Sequence, residues 1–586
     1  MTEFEQEPQS TMSEREESQL PALDMLARLG YQVLTREQAI ALRGGKASNP
    51  LLTDVLRERL PKINTIRYKQ REVGFSAQNI RRAVQALEEV PLAQGLQHAS
   101  EAVYDLLRLG KSFEQTVAGD TKSFTLRYVD WQTPGNNVFH VTPEYRMRRT
   151  ASTSEVRLDL VCFVNGVPFV VIECKAPDVP LAEAIGDLLN YQRDEAVPEL
   201  FKYVQVVLAM NRREAKYATI KSAEDFWAVW RDRPEEEVEE AIGVLLDTPL
   251  PADEEEALLA NFVRERPLHY AVRQHGRRTA TAQDRILYNL CRPARLLELT
   301  ERFMLYDGRT KKIARYQQYY AVKRAMETVR LMTPEGHRKG GVIWHTQGSG
   351  KSLTMVLLAN AIALSPEIEN PRIVLVTDRV DLDKQLKTTF ERCGLEPKRA
   401  TSGAVLRRLI ENKRATVITT LVQKFDAALK TEPFTDDSKN VFVLVDESHR
   451  TQYGTLSTRM RLVFRNACYL GFTGTPLLKK EKSETIRKFG GLIDAYSIDR
   501  AVEDKAVVPL LYEARFIEQE VQQKTIDAWF ERICRTLSPK EQEDLKQKYS
   551  RVDRLSRAEQ RLRMIAFDVS EHYKRHWQRD GPYYQD

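Results

Sequence analysis

A phosphate-binding loop is predicted where a short apolar run ends in glycines, serines and a lysine, in the stretch VIWHTQGSGKSLTMVLLA (342–359). Glycines let the backbone turn tightly enough for successive N–H groups to point at phosphate oxygens, and the next helix adds its dipole. Lys351 should reach the β- and γ-phosphates of ATP, and Ser352 should hold Mg²⁺. The predicted nucleotide-binding residues of the loop are Thr346, Gln347, Gly348, Ser349, Gly350, Lys351 and Ser352. The alternative is a strand–helix turn that binds no ligand.

Two adjacent acids support the nucleotide site. Asp446 and Glu447 end the apolar run VFVLVDESH, and ligands bind at the carboxyl ends of the strands in such sheets. Asp446 can hold Mg²⁺, and Glu447 can orient the water that attacks the γ-phosphate. The alternative is a pair of acids stabilised by the dipole of a helix N-terminus. This interpretation is the weaker one, because a phosphate-binding loop is predicted on the same sheet.

A second set of charged residues lies upstream, in RLDLVCFVNGVPFVVIECK (157–175). Asn165-Gly166 between two apolar runs is typical of a β-hairpin. A strict two-residue loop would pair Asp159 with Ile172 and put Asp159 and Glu173 on opposite faces. A loop of residues 165–167 with a bulge would pair Asp159 with Glu173, and we predict this longer loop.

Two converging carboxylates with a lysine beside them suit metal-dependent hydrolysis of a phosphodiester. Asp159 and Glu173 would hold Mg²⁺, which polarises the phosphate and generates the attacking hydroxide. Lys175 would offset the developing negative charge. The alternative is an edge hairpin whose charged side chains face water.

The composition is that of a globular protein and excludes several classes. The 586 residues should form three or four domains, and a net charge of +6 is too mild to indicate nucleic-acid binding by itself. Six scattered cysteines without a CxxC pair argue against zinc and disulfides and favour the cytoplasm. No apolar stretch approaches the roughly 18 residues of a membrane span, and the polar N-terminus is not a signal peptide.

The periodicity predicts an α/β protein with two sheets. Amphipathic helices precede four short strands between about residues 123 and 175, and one more helix and strand follow. An acidic, proline-containing stretch, 232–257, predicts a surface helix and connector, with a domain boundary near residue 265. From about residue 313, five buried-strand runs alternate with helical patterns, which indicates a mostly parallel, doubly wound sheet.

The second half resembles a RecA-like motor lobe of superfamily 2 helicases and translocases. Residues 345–352 resemble motif I, with His345 in place of the usual glycine; residues 446–449 resemble the DExH box, and residues 473–476 resemble motif III. In ARYQQYYA, Arg315 and Gln318 resemble an adenine-reading R-x-x-Q motif. An exposed polar helix residue is an equally compatible interpretation of Gln318.

The upstream hairpin resembles the PD-(D/E)xK nuclease pattern, with Asp159 followed by Glu173-Cys174-Lys175. Related nucleases often have Q-x-x-x-Y on the next helix, where this chain has Asp187 and Tyr191. The resemblance also implies an acidic residue on an N-terminal helix, for which Glu17 is the candidate.

A nuclease hairpin followed by a motor resembles the restriction (R) subunit of type I restriction–modification enzymes. The resemblance implies an ATP- and Mg²⁺-dependent enzyme that translocates and cuts double-stranded DNA. It also implies methyltransferase (M) and specificity (S) partner subunits, with S-adenosylmethionine bound only by the methyltransferases. The implied regions are a disordered lead-in (1–18), a PD-(D/E)xK endonuclease domain (19–265), a first RecA-like lobe (266–497) and the start of a helical second lobe (498–586).

The end of the sequence leads to one further expectation. A motor of this class needs two RecA-like lobes, and the second lobe lacks its arginine motif here, so we expect a portion of a longer protein that binds ATP weakly and does not translocate. The alternatives are another superfamily 2 helicase–nuclease, acting in DNA repair, and a non-catalytic DNA-binding scaffold that would tolerate loss of Asp159, Glu173 and Lys351.

Overall fold

A mixed β-sheet organises the first half of the chain. The structure is a computed structural model that describes residues 14–267, 269–270, 278–413, 416–430, 434–446, 453–474, 489–508, 523–549 and 559–577. The strands of the first half are β1 (Gln32–Val33), β2 (Thr65–Tyr68), β3 (Arg71–Gly74), β4 (Lys111–Val117), β5 (Asp120–Leu126), β6 (Phe139–Arg148), β7 (Glu155–Val164), β8 (Val167–Cys174), β9 (Val206–Met210) and β10 (Ala215–Ala218). Its α-helices are α1 (Leu20–Arg28), α2 (Arg36–Leu42), α3 (Thr53–Ile63), α4 (Ala77–Glu88), α5 (Leu96–Leu109), α6 (Leu181–Tyr191), α7 (Pro198–Phe201), α8 (Glu235–Asp247) and α9 (Ala252–Leu259).

Six of these strands form one sheet in the order β1-β6-β7-β8-β9-β10. β6, β7 and β8 are antiparallel neighbours, whereas β9 runs parallel to β8. β8 is buried along its length because both of its faces are covered. Val171 packs in one core with Ile185 of α6, and Ile172 packs in another with Leu23 of α1. Of the four predicted strands, the first corresponds to β5, which pairs with β4 in a separate hairpin.

A parallel sheet organises the second half of the chain. Its strands are β13 (Gly341–His345), β14 (Arg372–Thr377), β15 (Lys398–Arg399), β16 (Val417–Leu421), β17 (Val441–Val445), β18 (Cys468–Thr473) and β19 (Leu492–Tyr496); a hairpin of β11 (Met304–Asp307) and β12 (Thr310–Ile313) precedes it. The helices up to Glu503 are α10 (Ala282–Cys291), α11 (Pro293–Arg302), α12 (Tyr316–Arg330), α13 (Lys351–Ala363), α14 (Val380–Arg392), α15 (Gly403–Asn412), α16 (Gln423–Leu429), α17 (Tyr453–Val463) and α18 (Ile498–Glu503).

The seven strands follow the order β15-β16-β14-β17-β18-β13-β19, and all neighbouring pairs are parallel. Alternate residues of β14 pack on opposite faces: Ile373 and Leu375 join one core, and Val374 and Val376 join another. Burial on both faces explains why the sequence has continuous apolar runs here rather than alternation. The predicted parallel sheet is confirmed.

Two short strands of this sheet were not predicted. β15 has two residues, and β19 has the sequence LIDAY, in which an acid interrupts the apolar pattern. β19 is nevertheless the outer neighbour of β13. Its acid, Asp494, is buried and pairs with Arg324 and Arg233, so tertiary contacts rather than strand propensity explain its position.

The described residues up to Val507 form one compact unit, and those from Val508 form a second. The second unit contains α19 (Gln523–Cys534), α20 (Pro539–Tyr549) and α21 (Glu559–His576). The segment VVPLLYEARF (507–516), whose sequence suggests a strand leading into a second lobe, falls mostly outside the described residues. Among the helices that the structure describes, none is both long and apolar enough to span a membrane.

Candidate functional site

The hairpin between β7 and β8 differs from its prediction in one detail. The turn contains only Asn165 and Gly166, with φ of 50° and 85°, so the predicted three-residue loop is wrong. The extra residue is Phe169, because the register changes between the pair Cys162↔Val170 and the pair Phe163↔Pro168. The predicted bulge therefore exists, but it lies inside β8.

Contacts at the turn explain why the bulge moved. The Asn165 side chain is fully buried, donates to the Tyr128 carbonyl at 3.0 Å and accepts from the Val138 N–H at 2.9 Å. A Cβ on Gly166 would lie 2.4 Å from the Leu52 carbonyl oxygen. These contacts fix a tight turn of two residues with positive φ.

The bulge brings the two predicted carboxylates together. Leu160 pairs with Ile172, so the next position along both strands sets Asp159 opposite Glu173. Asp159 accepts hydrogen bonds from the Cys174 N–H and the Gln19 side chain, both at 2.8 Å. Asp159 is 4% exposed and Glu173 is 3% exposed, so both acids lie inside the protein.

The electrostatics of this pair favour a bound cation. Burial, followed by the charge of Glu14, raises the pKa of Asp159 to about 7. Burial and the neighbouring charge of Asp159 raise the pKa of Glu173 as well. The Oε2 atom of Glu173 is buried without a hydrogen-bond partner. Two buried acids and one unpartnered oxygen suit a hard divalent cation, whose charge would offset their burial cost.

Asp159 and Glu173 are the candidate metal ligands of this site. The described part of the chain contains no group of three His, Cys, Asp or Glu residues that could hold a metal ion. Mg²⁺ keeps several water or phosphate ligands in many enzyme sites. The residues present therefore fit a site in which water or substrate phosphate completes the coordination.

Lys175 lies between two carboxylates beside this pair. Its Nζ atom is 3.1 Å from Glu173 and 2.7 Å from Asp187 of α6. Burial lowers the pKa of Lys175, but the charges and hydrogen bonds of these two acids outweigh burial and raise it above its usual value. The Tyr191 hydroxyl, one helical turn after Asp187, is 3.5 Å from Glu173. α6 thus contributes both of its motif residues to the site.

The N-terminal acid at the site is Glu14, whereas the sequence suggested Glu17. Residues 15–19 form a π-helical turn before α1, and the Gln19 side chain donates to both Glu14, at 3.1 Å, and Asp159. A π-helix aligns residues five apart, so a 3.6-residue period does not identify Glu14. The predicted disordered lead-in reaches residue 18, but Glu14 to Ser18 are part of the fold.

The predicted phosphate-binding loop lies between β13 and α13. Gly348 and Gly350 have φ of 85° and 89°, which side chains rarely adopt. The Ser349 hydroxyl donates to the Thr346 carbonyl at 2.6 Å, and the Thr346 hydroxyl donates to the Tyr496 carbonyl at 2.8 Å. Loop and edge strand β19 are therefore tied together.

The predicted catalytic groups of the nucleotide site meet at the base of α13. Lys351 Nζ is 2.8 Å from Asp446 Oδ1, and Ser352 lies in the same first turn of α13. A Cβ on Gly474 would lie 3.4 Å from Gln347, so the start of the motif III-like segment reaches the loop. Glu447 lies outside the described residues.

Gln318 contacts the loop directly. It is 5% exposed, so the interpretation as an exposed helix residue is wrong. Its Nε2 donates to the Gly350 carbonyl at 3.1 Å, and its Oε1 accepts from the Arg315 N–H at 2.9 Å. The predicted pair Arg315 and Gln318 thus caps α12 and reaches the phosphate-binding loop.

The histidine that replaces the leading glycine lies beside the buried carboxylate of Asp494. His345 is fully buried, and its Nε2 lies 3.4 Å from Asp494 of β19. Asp494 is also 2.6 Å from Arg324 and 3.3 Å from Arg233, which belongs to the segment before α8. The sequence did not reveal this network because its members are separated by up to 261 residues.

Comparison with known proteins identifies two regions. Residues 11–226 match the family model for the type I restriction enzyme R protein N terminus, and residues 317–543 match that for the SWI2/SNF2 ATPase.

Two curated relatives match most of the chain. A putative type I restriction enzyme MjaIXP endonuclease subunit of Methanocaldococcus jannaschii is 31% identical over 81% of this chain and 44% of its own length. The HindI endonuclease subunit of Haemophilus influenzae is 31% identical over 81% of this chain and 43% of its own length. The chain therefore spans less than half the length of these relatives. Among solved structures, the Sulfolobus solfataricus SWI2/SNF2 ATPase core in complex with dsDNA matches over 29% of this chain and 33% of its own chain. The sequence identity is 16% and the TM-score is 0.22.

Proposed function

The chain belongs to the family of type I restriction enzyme endonuclease (R) subunits, and we propose that it cuts double-stranded DNA at one site and hydrolyses ATP at the other. The observation that supports this most strongly is the approach of Asp159, Glu173 and Lys175 on a sheet separate from the one that holds Lys351 and Asp446. We assign residues 19–265 to the endonuclease domain, 266–497 to the first motor lobe and 498–586 to the start of the second.

In the nuclease reaction, the protein's own groups orient the phosphodiester and neutralise charge. When bound, Mg²⁺ would polarise the phosphate and lower the pKa of a water molecule. Asp159 and Glu173 would hold that cation, and the hydrogen bonds that Asp159 accepts from Cys174 and Gln19 fix its carboxylate. Lys175, positioned by Asp187, donates to the phosphate as negative charge develops.

In the ATPase reaction, the ion pair between Lys351 and Asp446 exchanges partners. With ATP bound, Lys351 would contact the β- and γ-phosphates, and Asp446 and Ser352 would hold Mg²⁺. Gln318, already bonded to Gly350, contacts adenine with Arg315 nearby. Glu447 orients the attacking water. ATP hydrolysis then drives translocation along DNA in the whole enzyme.

The proposed partners follow from the family. The R subunit would act with methyltransferase and specificity subunits of the same system in the cytoplasm, and S-adenosylmethionine would be bound by the methyltransferases. The names of the curated relatives, restriction endonuclease subunits, favour this over a repair helicase–nuclease. Buried acids with raised pKa values favour it over a non-catalytic scaffold, because such acids are costly without a function.

The test separates the two chemistries in one chain. Asp159→Asn retains a hydrogen-bond acceptor for Cys174 but removes the charge, so Mg²⁺-dependent nicking of supercoiled plasmid should fall at least about 100-fold while binding of a fluorescent ATP analogue persists. Lys351→Ala should abolish nucleotide binding and leave nicking intact. Asp225→Asn, at an exposed position, is the matched control. Undiminished nicking by Asp159→Asn would refute the nuclease assignment, and undiminished nucleotide binding by Lys351→Ala would refute the ATP site.

A further inference from the structure

Glu144 on β6 is a buried carboxylate surrounded by arginines. Its side chain, 3% exposed, forms ion pairs with Arg36, with Arg15 at 3.8 Å and with Arg157 at 3.7 Å. Its φ of 48° lies in the left-handed region, which costs a non-glycine residue about 1–3 kcal/mol. Glu144 is therefore shared by three guanidinium groups, of which Arg15 also pairs with Glu265 at 3.1 Å.

The sheet register adds a fourth arginine in an unfavourable position. Arg146 of β6 pairs directly with Arg157 of β7, and like charges directly opposite each other destabilise an antiparallel pair. Arg146 lies 3.9 Å from the carboxylate of Glu155. Burial lowers the pKa of Arg36, and the charges of Arg15 and Arg146 lower it further. A sheet selected for stability alone would avoid this arrangement.

One of the four arginines has a structural role. Arg15 donates to the Asn261 carbonyl at 2.9 Å, lies 3.1 Å from Glu265 and packs over the Phe262 ring. The other three, Arg36, Arg146 and Arg157, we call the arginine cluster. Their side chains are 34%, 52% and 24% exposed, so a ligand can reach them from solvent.

The arginine cluster borders the carboxylate pair. Arg157 lies two residues before Asp159 on β7, and its charge acts on Asp159, on Glu14 and on Tyr191. A DNA strand held at Asp159 and Glu173 would therefore lie close to Arg157, which Glu144 and the strand register connect to Arg36 and Arg146. Guanidinium groups match the geometry of phosphate oxygens and bind them with two parallel hydrogen bonds.

We propose that Arg36, Arg146 and Arg157 bind backbone phosphates of the DNA duplex next to the bond that is cut. A phosphate between Arg146 and Arg157 relieves the repulsion that their pairing creates, and Glu144 holds Arg36 and Arg157 from behind. The proposal rests on the proposed nuclease function, because the position of the cleavage site determines where the duplex lies. Binding of DNA by the arginine cluster can still be measured under conditions in which no DNA is cut.

The experiment measures binding of the whole chain to a short DNA duplex in EDTA over a range of salt concentrations. Each lost phosphate contact lowers the slope of log K against log salt by about 0.9, so Arg146→Ala should show that decrease and a several-fold weaker affinity at low salt. Arg67→Ala is the matched control, because Arg67 is an 82% exposed arginine paired with Glu72 at 3.5 Å on a separate hairpin. Arg67→Ala should leave the slope unchanged.

A thermal melt distinguishes this role from a structural one. Because Arg146 opposes Arg157, Arg146→Ala should unfold at the same or a higher temperature than the unaltered chain. The proposal is overturned if Arg146→Ala and Arg67→Ala have the same salt slope, if Arg146→Ala binds weakly only because it melts earlier, or if the unaltered chain does not bind the duplex. Loss of nicking in Asp159→Asn with an unchanged salt slope would support the nuclease assignment independently.

Discussion

Lys311 provides a test of the electrostatics inside the fold. This lysine of β12 is 1% exposed. Its Nζ donates to the Gln205 side chain at 2.6 Å and to the Val204 carbonyl at 3.3 Å, and it lies 5.3 Å from the Tyr104 ring centre. Burial lowers its pKa from 10.5 to about 7. The contacts join the hairpin before the motor sheet to the segment before β9.

The sign and size of the effect follow from this shift. Between pH 7 and 10.5 the unfolded chain binds the proton that folded Lys311 releases, so stability rises with pH in that window. With one pKa unit equal to 1.36 kcal/mol, the penalty is about 4 kcal/mol at pH 7 and about 2 kcal/mol at pH 9. Lys311 should therefore make the folded unit about 2 kcal/mol more stable at pH 9 than at pH 7.

The assay is urea unfolding of the chain at both pH values, with Lys311→Met compared with the unaltered protein. Methionine has a similar length but no charge, so the variant should lose this increase in the free energy of unfolding. Lys312→Met is the matched control, since Lys312 is 38% exposed and paired with Asp307 at 2.6 Å, and it should keep the increase. Equal pH dependence in Lys311→Met and the unaltered chain would refute the reasoning.

Three further predictions concern the two sites and the hairpin between β7 and β8. Gln318→Ala removes a hydrogen bond to the phosphate-binding loop, so the Kd for a fluorescent ATP analogue should rise about 2–10-fold; an unchanged Kd would contradict this. Lys175→Met should lower Mg²⁺-dependent nicking by about 100-fold or more, and Asp187→Asn, which only positions Lys175, should lower it less; the reverse order would count against our assignment of roles. Gly166→Ala should destabilise the protein by at least about 1 kcal/mol, because Gly166 has a positive φ and lies close to the Leu52 carbonyl. Gly186→Ala should stabilise it by up to about 1 kcal/mol, because this helical glycine has open space around it. Thermal melts measure both effects, and equal melting temperatures of the two variants would contradict the prediction.

Local patterns predicted the elements that position the sites. The glycines, lysine and flanking apolar runs of the predicted phosphate-binding loop specify its backbone. The helix expected after the hairpin is α6, Leu181–Tyr191. The parallel sheet followed from apolar strand runs alternating with helices. Each of these features depends on residues close together in the sequence.

Features that depend on distant contacts were missed. The bulge at Phe169 was displaced from the loop because Gly166 approaches Leu52, more than 100 residues earlier in the chain. Glu14 reaches the carboxylates through a π-helical turn that a regular helix period does not describe. Asp494 is accommodated in an edge strand because Arg233 and Arg324 pair with its buried carboxylate and His345 lies beside it.

The central claim is that Asp159 and Glu173 together hold one divalent cation, which the protein uses to cut DNA. Its most direct test is a crystal of the chain grown with Mn²⁺ and a DNA duplex, with the metal located by anomalous scattering. We predict a peak within about 2.5 Å of both carboxylates, with a phosphate oxygen of the duplex as a further ligand. A map with no peak between these two acids, collected from crystals that bind Mn²⁺ elsewhere, would contradict the account.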